Sequence, residues 1–213
     1  MIIKTKKDLR FYIIADRIMN GKPGKRTVGE IVKSLFIGGG IIEYLRAMRH
    51  YAYYTNTTHN VLSLGTLLRG YWGYKYKKLG IKLGFTIGYN SLGYGVVIPH
   101  YGTIVVNGSA RVGNFAVLHT CTCIAGKKEI GDFLYLATGS QITGHITLGD
   151  GVTVAAHSLV NHSYDNNLLL AGAPAIIKRD DYPVWIERDS IEFKKRVDRI
   201  VYMRNAMGRC EAV

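Results

Sequence analysis

Cysteine, proline and acidic residues are all scarce in this chain of 213 residues. Three Cys (Cys121, Cys123 and Cys210) are too few, and odd in number, for a disulfide framework, which points to a reducing compartment. Only 4 Pro beside 47% hydrophobic residues exclude a disordered chain, and 25 Gly without a three-residue period exclude a collagen-like one. No stretch reaches the roughly 18 apolar residues that a membrane-spanning helix needs. The opening Met1-Ile2-Ile3-Lys4-Thr5-Lys6-Lys7-Asp8 carries charge where a secretory signal would be uninterruptedly apolar. A cytoplasmic protein that does not span a membrane is expected.

The shortage of acid is uneven. The chain holds 15 Asp and Glu against 28 Lys and Arg, a net charge of +13. Residues 1–80 carry +11 of this and residues 81–213 only +2. No helix-turn-helix, zinc-finger spacing or ribonucleoprotein motif accompanies the basic segment, so no nucleic-acid partner is expected. Instead Tyr44, Tyr51, Tyr53, Tyr54, Tyr71, Trp72, Tyr74 and Tyr76 alternate with Arg46, Arg49, Arg69, Lys75, Lys77 and Lys78. Rings at headgroup depth and ammonium groups on anionic lipid would suit that mixture, giving peripheral contact through residues 1–80 at the inner face of the cell membrane. A helical domain with a tyrosine-packed core and solvated lysines fits it equally.

Helix signals fill this segment. Thr5-Lys6-Lys7-Asp8 resembles a capping box ahead of Leu9, Tyr12, Ile13 and Ala15, with a stop at Asn20-Gly21. Thr27-Val28-Gly29-Glu30 opens a second helix that Gly38-Gly39-Gly40 breaks or bends, and Asn60 caps a third over about 61–79. From there the period changes to six. Aliphatic residues fall at Val112, Leu118, Ile124, Ile130, Leu136, Ile142, Leu148, Val154 and Val160, often followed by Gly or Ala. Each unit reads as one short strand and a turn, three units closing a triangular coil whose stacked neighbours bury a common apolar column. The register continues upstream through Leu92, Ile98 and Ile104, with a two-residue slip before Val112, and about five coils of 18 residues fit. Residues 1–80 are expected as a helical domain, 81–177 as a parallel β-helix and 178–213 as a tail with an amphipathic helix over Asp189 to Met207.

The repeat resembles the hexapeptide-repeat acyltransferases, whose fold is a left-handed parallel β-helix and whose active sites lie between the subunits of homotrimers. Ile98-Pro99-His100-Tyr101-Gly102-Thr103-Ile104-Val105-Val106-Asn107 is similar to the serine-acetyltransferase-like branch, and Lys7-Asp8-Leu9-Arg10-Phe11-Tyr12 through Ala15-Asp16-Arg17 to members of capsule and exopolysaccharide biosynthesis. The resemblance implies acetyl-CoA as co-substrate and His100 as catalytic base, a role an imidazole suits because it exchanges protons near neutral pH. It also implies acceptor contacts from Tyr101, Asn107 and His119. A coenzyme A cradle would come from the small residues Ala137, Thr138, Gly139, Ala155 and Ala156, with Lys178 and Arg179 meeting the phosphates.

True serine acetyltransferases carry Asp before the base, a second Asp about fifteen residues earlier and an Arg-His pair. Here Pro99, Phe85 and Lys127-Lys128 stand in those places. Free serine needs charged partners and a sugar hydroxyl does not, so the expected acceptor is a sugar or lipid-linked glycan of surface polysaccharide biosynthesis. The alternatives are serine O-acetylation for cysteine synthesis, a non-enzymatic trimeric membrane scaffold, and a zinc-dependent hydratase. His157, His162 and Cys121 would have to serve the last, but His162 falls where the repeat ends and the third ligand would be Cys, so no metal is expected.

Overall fold

The structure, a computed structural model, describes residues 2–36, 39–58 and 60–209. Cys210 and Gly38 lie outside the described residues. Helix α1 (Lys6–Met19) begins where Thr5 Oγ1 accepts from the Asp8 N–H at 3.0 Å, and α2 (Val28–Phe36) where Thr27 and Glu30 exchange side-chain-to-backbone bonds. A separate helix α3 (Ile41–Thr57), with Gly40 at its N-cap, follows the glycines, so the expected second helix is two. The next helix, α4 (Leu64–Leu83), is capped by Ser63, whose Oγ accepts from the Thr66 N–H. The expected cap, Asn60, instead offers its carbonyl to the hydroxyls of Ser63 and Thr66. Gly84 ends α4 at φ 81°, a left-handed conformation that favours glycine.

Thirteen short strands follow: β1 (Phe85–Ile87), β2 (Ile104–Val106), β3 (Arg111–Val112), β4 (Val117–Leu118), β5 (Thr122–Ile124), β6 (Glu129–Ile130), β7 (Tyr135–Leu136), β8 (Gln141–Ile142), β9 (Thr147–Leu148), β10 (Thr153–Val154), β11 (Leu159–Val160), β12 (Leu169–Gly172) and β13 (Ala175–Arg179). They form three sheets, β1-β2-β5-β8-β11, β4-β7-β10-β12-β13 and β3-β6-β9, parallel throughout except for the closing β12–β13 hairpin. This is a left-handed parallel β-helix of about five turns. All nine residues of the six-residue series are at most 6% exposed. Each such side chain contributes about 1.5–3 kcal/mol by leaving water, which no lone coil could collect.

The helices share this core. Tyr44, Leu45, Met48, Trp72, Leu79 and Leu83 pack against the foot of the coil column. On the other side α1 meets Val97, Phe115 and Val117 together with α5 (Trp185–Arg188) and α6 (Ile191–Arg209). A buried ion pair fastens α1 and α3 to the first coil. Arg49 binds Asp16 (Nε to Oδ2, 2.9 Å) and donates to the carbonyls of Leu92 (2.7 Å) and Gly93 (2.5 Å). Asp16 in turn accepts from the N–H groups of Gly95 (2.9 Å) and Val96 (3.1 Å). Asn20 adds a bond to the Val96 carbonyl at 2.7 Å. The segment just before His100 is thereby held from below.

Candidate active site

Strand pairing locates the irregular coil. Val106 pairs with Ile124 and Ile104 with Thr122, so the six-residue series runs through Val106, and eight residues separate it from Ile98. The two-residue slip expected before Val112 therefore lies before Val106, inside the corner Pro99-His100-Tyr101-Gly102-Thr103. This corner is an enlarged loop pinned at its base. The Gly102 N–H donates to the Leu83 carbonyl at 2.9 Å, and the Ile104 N–H to that of Gly84 at 3.1 Å. A Cβ on Gly84 would come within 2.9 Å of the Gly102 backbone, so α4 and the loop approach as closely as glycine allows. Pro99, His100 and Tyr101 are exposed at the loop's tip. Among the described residues none is hydrogen-bonded to the His100 imidazole.

The corner of the next coil carries His119. Its Nε2 lies 3.0 Å from the Tyr135 hydroxyl. Burial, and after it the neighbouring His100, pushes His119 below the usual imidazole value, against a smaller opposing pull from Asp189. His119 is therefore a neutral imidazole at neutral pH. Burial raises the Tyr135 phenol, which stays protonated, and Arg188 lies over its ring at 5.5 Å. Arg188 is fixed in turn by Tyr182 (2.8 Å) and Thr153 (3.2 Å). Tyr135 and Arg188 escape a reading of the sequence. Tyr135 is an outward residue of β7 sixteen positions after His119, a spacing that signals contact only once the coils are stacked.

Above His119, at intervals of 18 residues, come Ala137 and Ala155, with Thr138, Gly139 and Ala156 beside them. The structure thus brings His100, Tyr101, His119 and the small residues along one corner of the β-helix. Ala137, Thr138, Ala155 and Ala156 leave a strip without bulky side chains, which fits an extended pantetheine arm. Gly139 also has a packing role in this strip. Cys121, Gly139 and His157 occupy the left-handed position of successive coils (φ 61°, 74° and 56°), and a Cβ on Gly139 would strike the His157 ring at 2.6 Å. Its missing side chain makes room for His157.

Three expected residues lie elsewhere. Asn107 sits on the corner after β2, where its Oδ1 accepts from the Ser109 N–H (2.9 Å) and hydroxyl (2.7 Å), closing its own turn. Lys178 and Arg179 are carried off by the hairpin, because the chain folds back at the Gly172–Ala175 turn. Arg179 pairs with Leu169 at the far end of β12 and lies over Tyr182. Phe85 points into the core against Tyr44, at 5.1 Å between ring centroids. Lys128 is buried on another corner and donates to the carbonyls of Ala125 and Gly144. Among the described residues no three His, Cys, Asp or Glu converge as a metal would require.

A cleft of about 460 Å³ opens beside the His100 loop, between Pro99, Tyr101 and Leu83 on one wall and Gly40, Ile41 and Glu43 on the other. Its acids are already paired, Glu30 with Arg17 (2.8 Å) and Glu43 with Arg26 (3.1 Å). A group bound there would meet the Tyr101 ring, backbone, the two paired acids and the exposed Lys22.

Among solved structures, the fold is similar to serine acetyltransferase from Neisseria gonorrhoeae (TM-score 0.60, 17% identity, 84% of this chain and 69% of that one). The Brucella abortus strain S19 enzyme gives 0.57 at 18% identity over 82% and 69%, and the Neisseria enzyme in complex with serine 0.55 at 18% over 82% and 70%. At these identities the likeness is one of fold. The sequence matches no protein-family model and no curated protein.

Proposed function

We propose that the chain is an acetyl-CoA-dependent O-acetyltransferase that modifies a sugar hydroxyl in surface polysaccharide biosynthesis, acting as a homotrimer with His100 as general base. The observation that carries this reading is the exposed imidazole on an enlarged corner, beside a neutral His119 and at the foot of the Ala137–Ala156 strip. That placement suits a thioester lying along the strip, while the cleft at Pro99 and Tyr101 suits the acceptor. The fold it shares with serine acetyltransferases supports the reaction class.

In the reaction the acceptor hydroxyl gives its proton to His100 as its oxygen forms a bond to the acetyl carbonyl carbon. The tetrahedral oxyanion collapses by breaking the carbon–sulfur bond, and His100 returns the proton to the departing thiolate. His119 stays uncharged beside it and so adds no positive charge against proton transfer to His100. The same arrangement could serve serine, the second reading, which the serine-bound structure of similar fold favours. Against it stand the paired Glu30 and Glu43 and the exposed Pro99 where a carboxylate would hold the ammonium.

Release of free thiol from acetyl-CoA, measured with nucleotide-linked sugars, lipid-linked sugars and serine, tests both readings. His100→Ala should lower kcat/KM at least about a hundredfold, the low end of general-base contributions, with sedimentation of the trimer unchanged. Undiminished turnover by this variant overturns the assignment of His100. Efficient acetylation of serine and of no sugar selects the second reading.

A further inference from the structure

Helix α4 has two apolar faces. Trp72, Leu79 and Leu83 turn inward, while Leu64, Leu67, Tyr71, Tyr74, Lys78 and Ile81 follow one another at helical spacing on the outer side. This outer stripe is uncovered: Leu67 is 73% and Ile81 86% exposed, and Leu62, in the loop leading into the helix, is 100% exposed. Contiguous apolar surface of this kind marks an interaction site. Lys77 and Lys78 are exposed within and beside it, and Lys78 lies over the Tyr74 ring at 5.5 Å. No Asp or Glu occurs between Glu43 and Glu129. Among the described residues no helix is long and apolar enough to cross a membrane.

We propose that the outer face of α4, with the loop at Val61 and Leu62, docks on the surface of an anionic lipid bilayer. Leucines and tyrosines would enter the headgroup region, and Lys77 and Lys78 would lie level with the phosphates. Charge decides between this occupant and a second copy of the chain. Two α4 faces meeting each other about a two-fold axis would set the lysines against their own counterparts with no acid to pair them, whereas an anionic surface supplies the missing sign. The position of α4 gives docking a consequence, which rests on the function proposed above. Its last turn is tied to the His100 loop through Leu83 and Gly84, and Leu83 lines the cleft beside Tyr101. A docked α4 holds that cleft at headgroup level, where the acceptor would be a sugar carried on a membrane-anchored phosphate.

Co-sedimentation of the full chain with vesicles tests the docking without reference to catalysis. At low salt the protein should pellet with phosphatidylcholine vesicles containing one-third phosphatidylglycerol and remain in solution with phosphatidylcholine alone. The triple variant Leu67→Ser/Tyr71→Ser/Tyr74→Ser, and separately Lys77→Glu/Lys78→Glu, should each weaken vesicle binding about tenfold or more. Both alter exposed side chains and should leave the fold intact by circular dichroism. His100→Ala should bind vesicles as the parent does, which separates failure of docking from failure of the catalytic reading. Equal pelleting on neutral and anionic vesicles, or unchanged binding by both variants, overturns the proposal. So does a fall in oligomeric mass of the triple variant with vesicle binding preserved, which would assign the face to a second copy.

Discussion

Replacing Arg49 by Met should expose how the helices hold the first coil. The Arg49 and Asp16 side chains are 1% and 3% exposed, so neither charge has water to fall back on. In the Arg49→Met variant Asp16 keeps the N–H groups of Gly95 and Val96 but loses its counter-ion, and the carbonyls of Leu92 and Gly93 lose their donor. Breaking a buried pair on one side costs about 3–5 kcal/mol. Native domains hold only about 5–15 kcal/mol in all, so the loss should be a large fraction of the total. Urea unfolding at fixed protein concentration measures it. Asp16→Asn should cost a similar amount, because Arg49 would then face two carbonyls without a carboxylate. The double variant should cost at least about 1 kcal/mol less than the sum of the two singles, since the second substitution removes a charge already stranded. A cost below about 1 kcal/mol for Arg49→Met, or strict additivity in the double variant, would refute the view that this pair fastens the coil below His100.

Two further outcomes concern His50 in the helical segment and Tyr135 beside His119. His50 is stacked on Trp72 at 4.0 Å, with Nδ1 buried and without a hydrogen-bond partner among the described residues, and burial, reinforced by Arg46 and Lys75, pushes it down to about 4. The unfolded chain therefore takes up this proton first, so the contribution of His50 is full above about pH 6.5, falls by up to about 2 kcal/mol between pH 7 and pH 5, and levels off below about pH 4. His50→Phe should remove that share of the acid sensitivity, and identical pH slopes in urea unfolding of parent and variant would show the reasoning wrong. Tyr135→Phe deletes the 3.0 Å partner of His119 while preserving the ring under Arg188. A loss of about 1 kcal/mol predicts roughly a fivefold fall in kcat/KM at unchanged thermal stability, and an unaltered kcat/KM would remove Tyr135 from the site.

The β-helix is legible in the sequence because one repeated physical demand, an aliphatic side chain pointing inward every sixth residue, leaves a trace that nine positions share. The same trace misplaces the irregular coil for an identifiable reason. In β2 both Ile104 and Val106 point inward, so aliphatic character alone cannot tell which of them continues the series. Only pairing to Ile124 shows that it is Val106, and that the extra residues belong to the corner with His100. Helix caps fail in the same way, since Asn60 and Ser63 are both competent cap residues and the choice between them depends on which backbone groups the folded loop presents. Contacts made by chain reversal leave no local trace at all. Arg188 reaches Tyr135 because α5 folds back over the β-helix, and Lys178 and Arg179 leave the small-residue strip because β13 does.

The charge imbalance follows a different logic. The four acids of residues 1–80 are all paired, three within the segment and one with α6: Asp16 to Arg49, Glu30 to Arg17, Glu43 to Arg26, Arg46 and Lys75, and Asp8 to Arg204. Several of the bases they engage lie at α1 and α3, against the first coil. Part of what remains unbalanced, Arg69, Lys77 and Lys78, is carried outward on α4, the helix whose apolar residues occupy opposite faces, and the rest lies on α1 and its flanking loops at Lys4, Lys6, Arg10, Lys22 and Lys25. Those two faces cancel in any measure of amphipathicity summed over the helix, which is why the outer stripe is hidden in the sequence and plain in the structure. An excess of lysine left on the surface beside exposed leucines, after every nearby acid has been spent on folding, is a property of the surface and not of the core. It is there, next to the loop bearing His100, that an anionic partner would restore the balance.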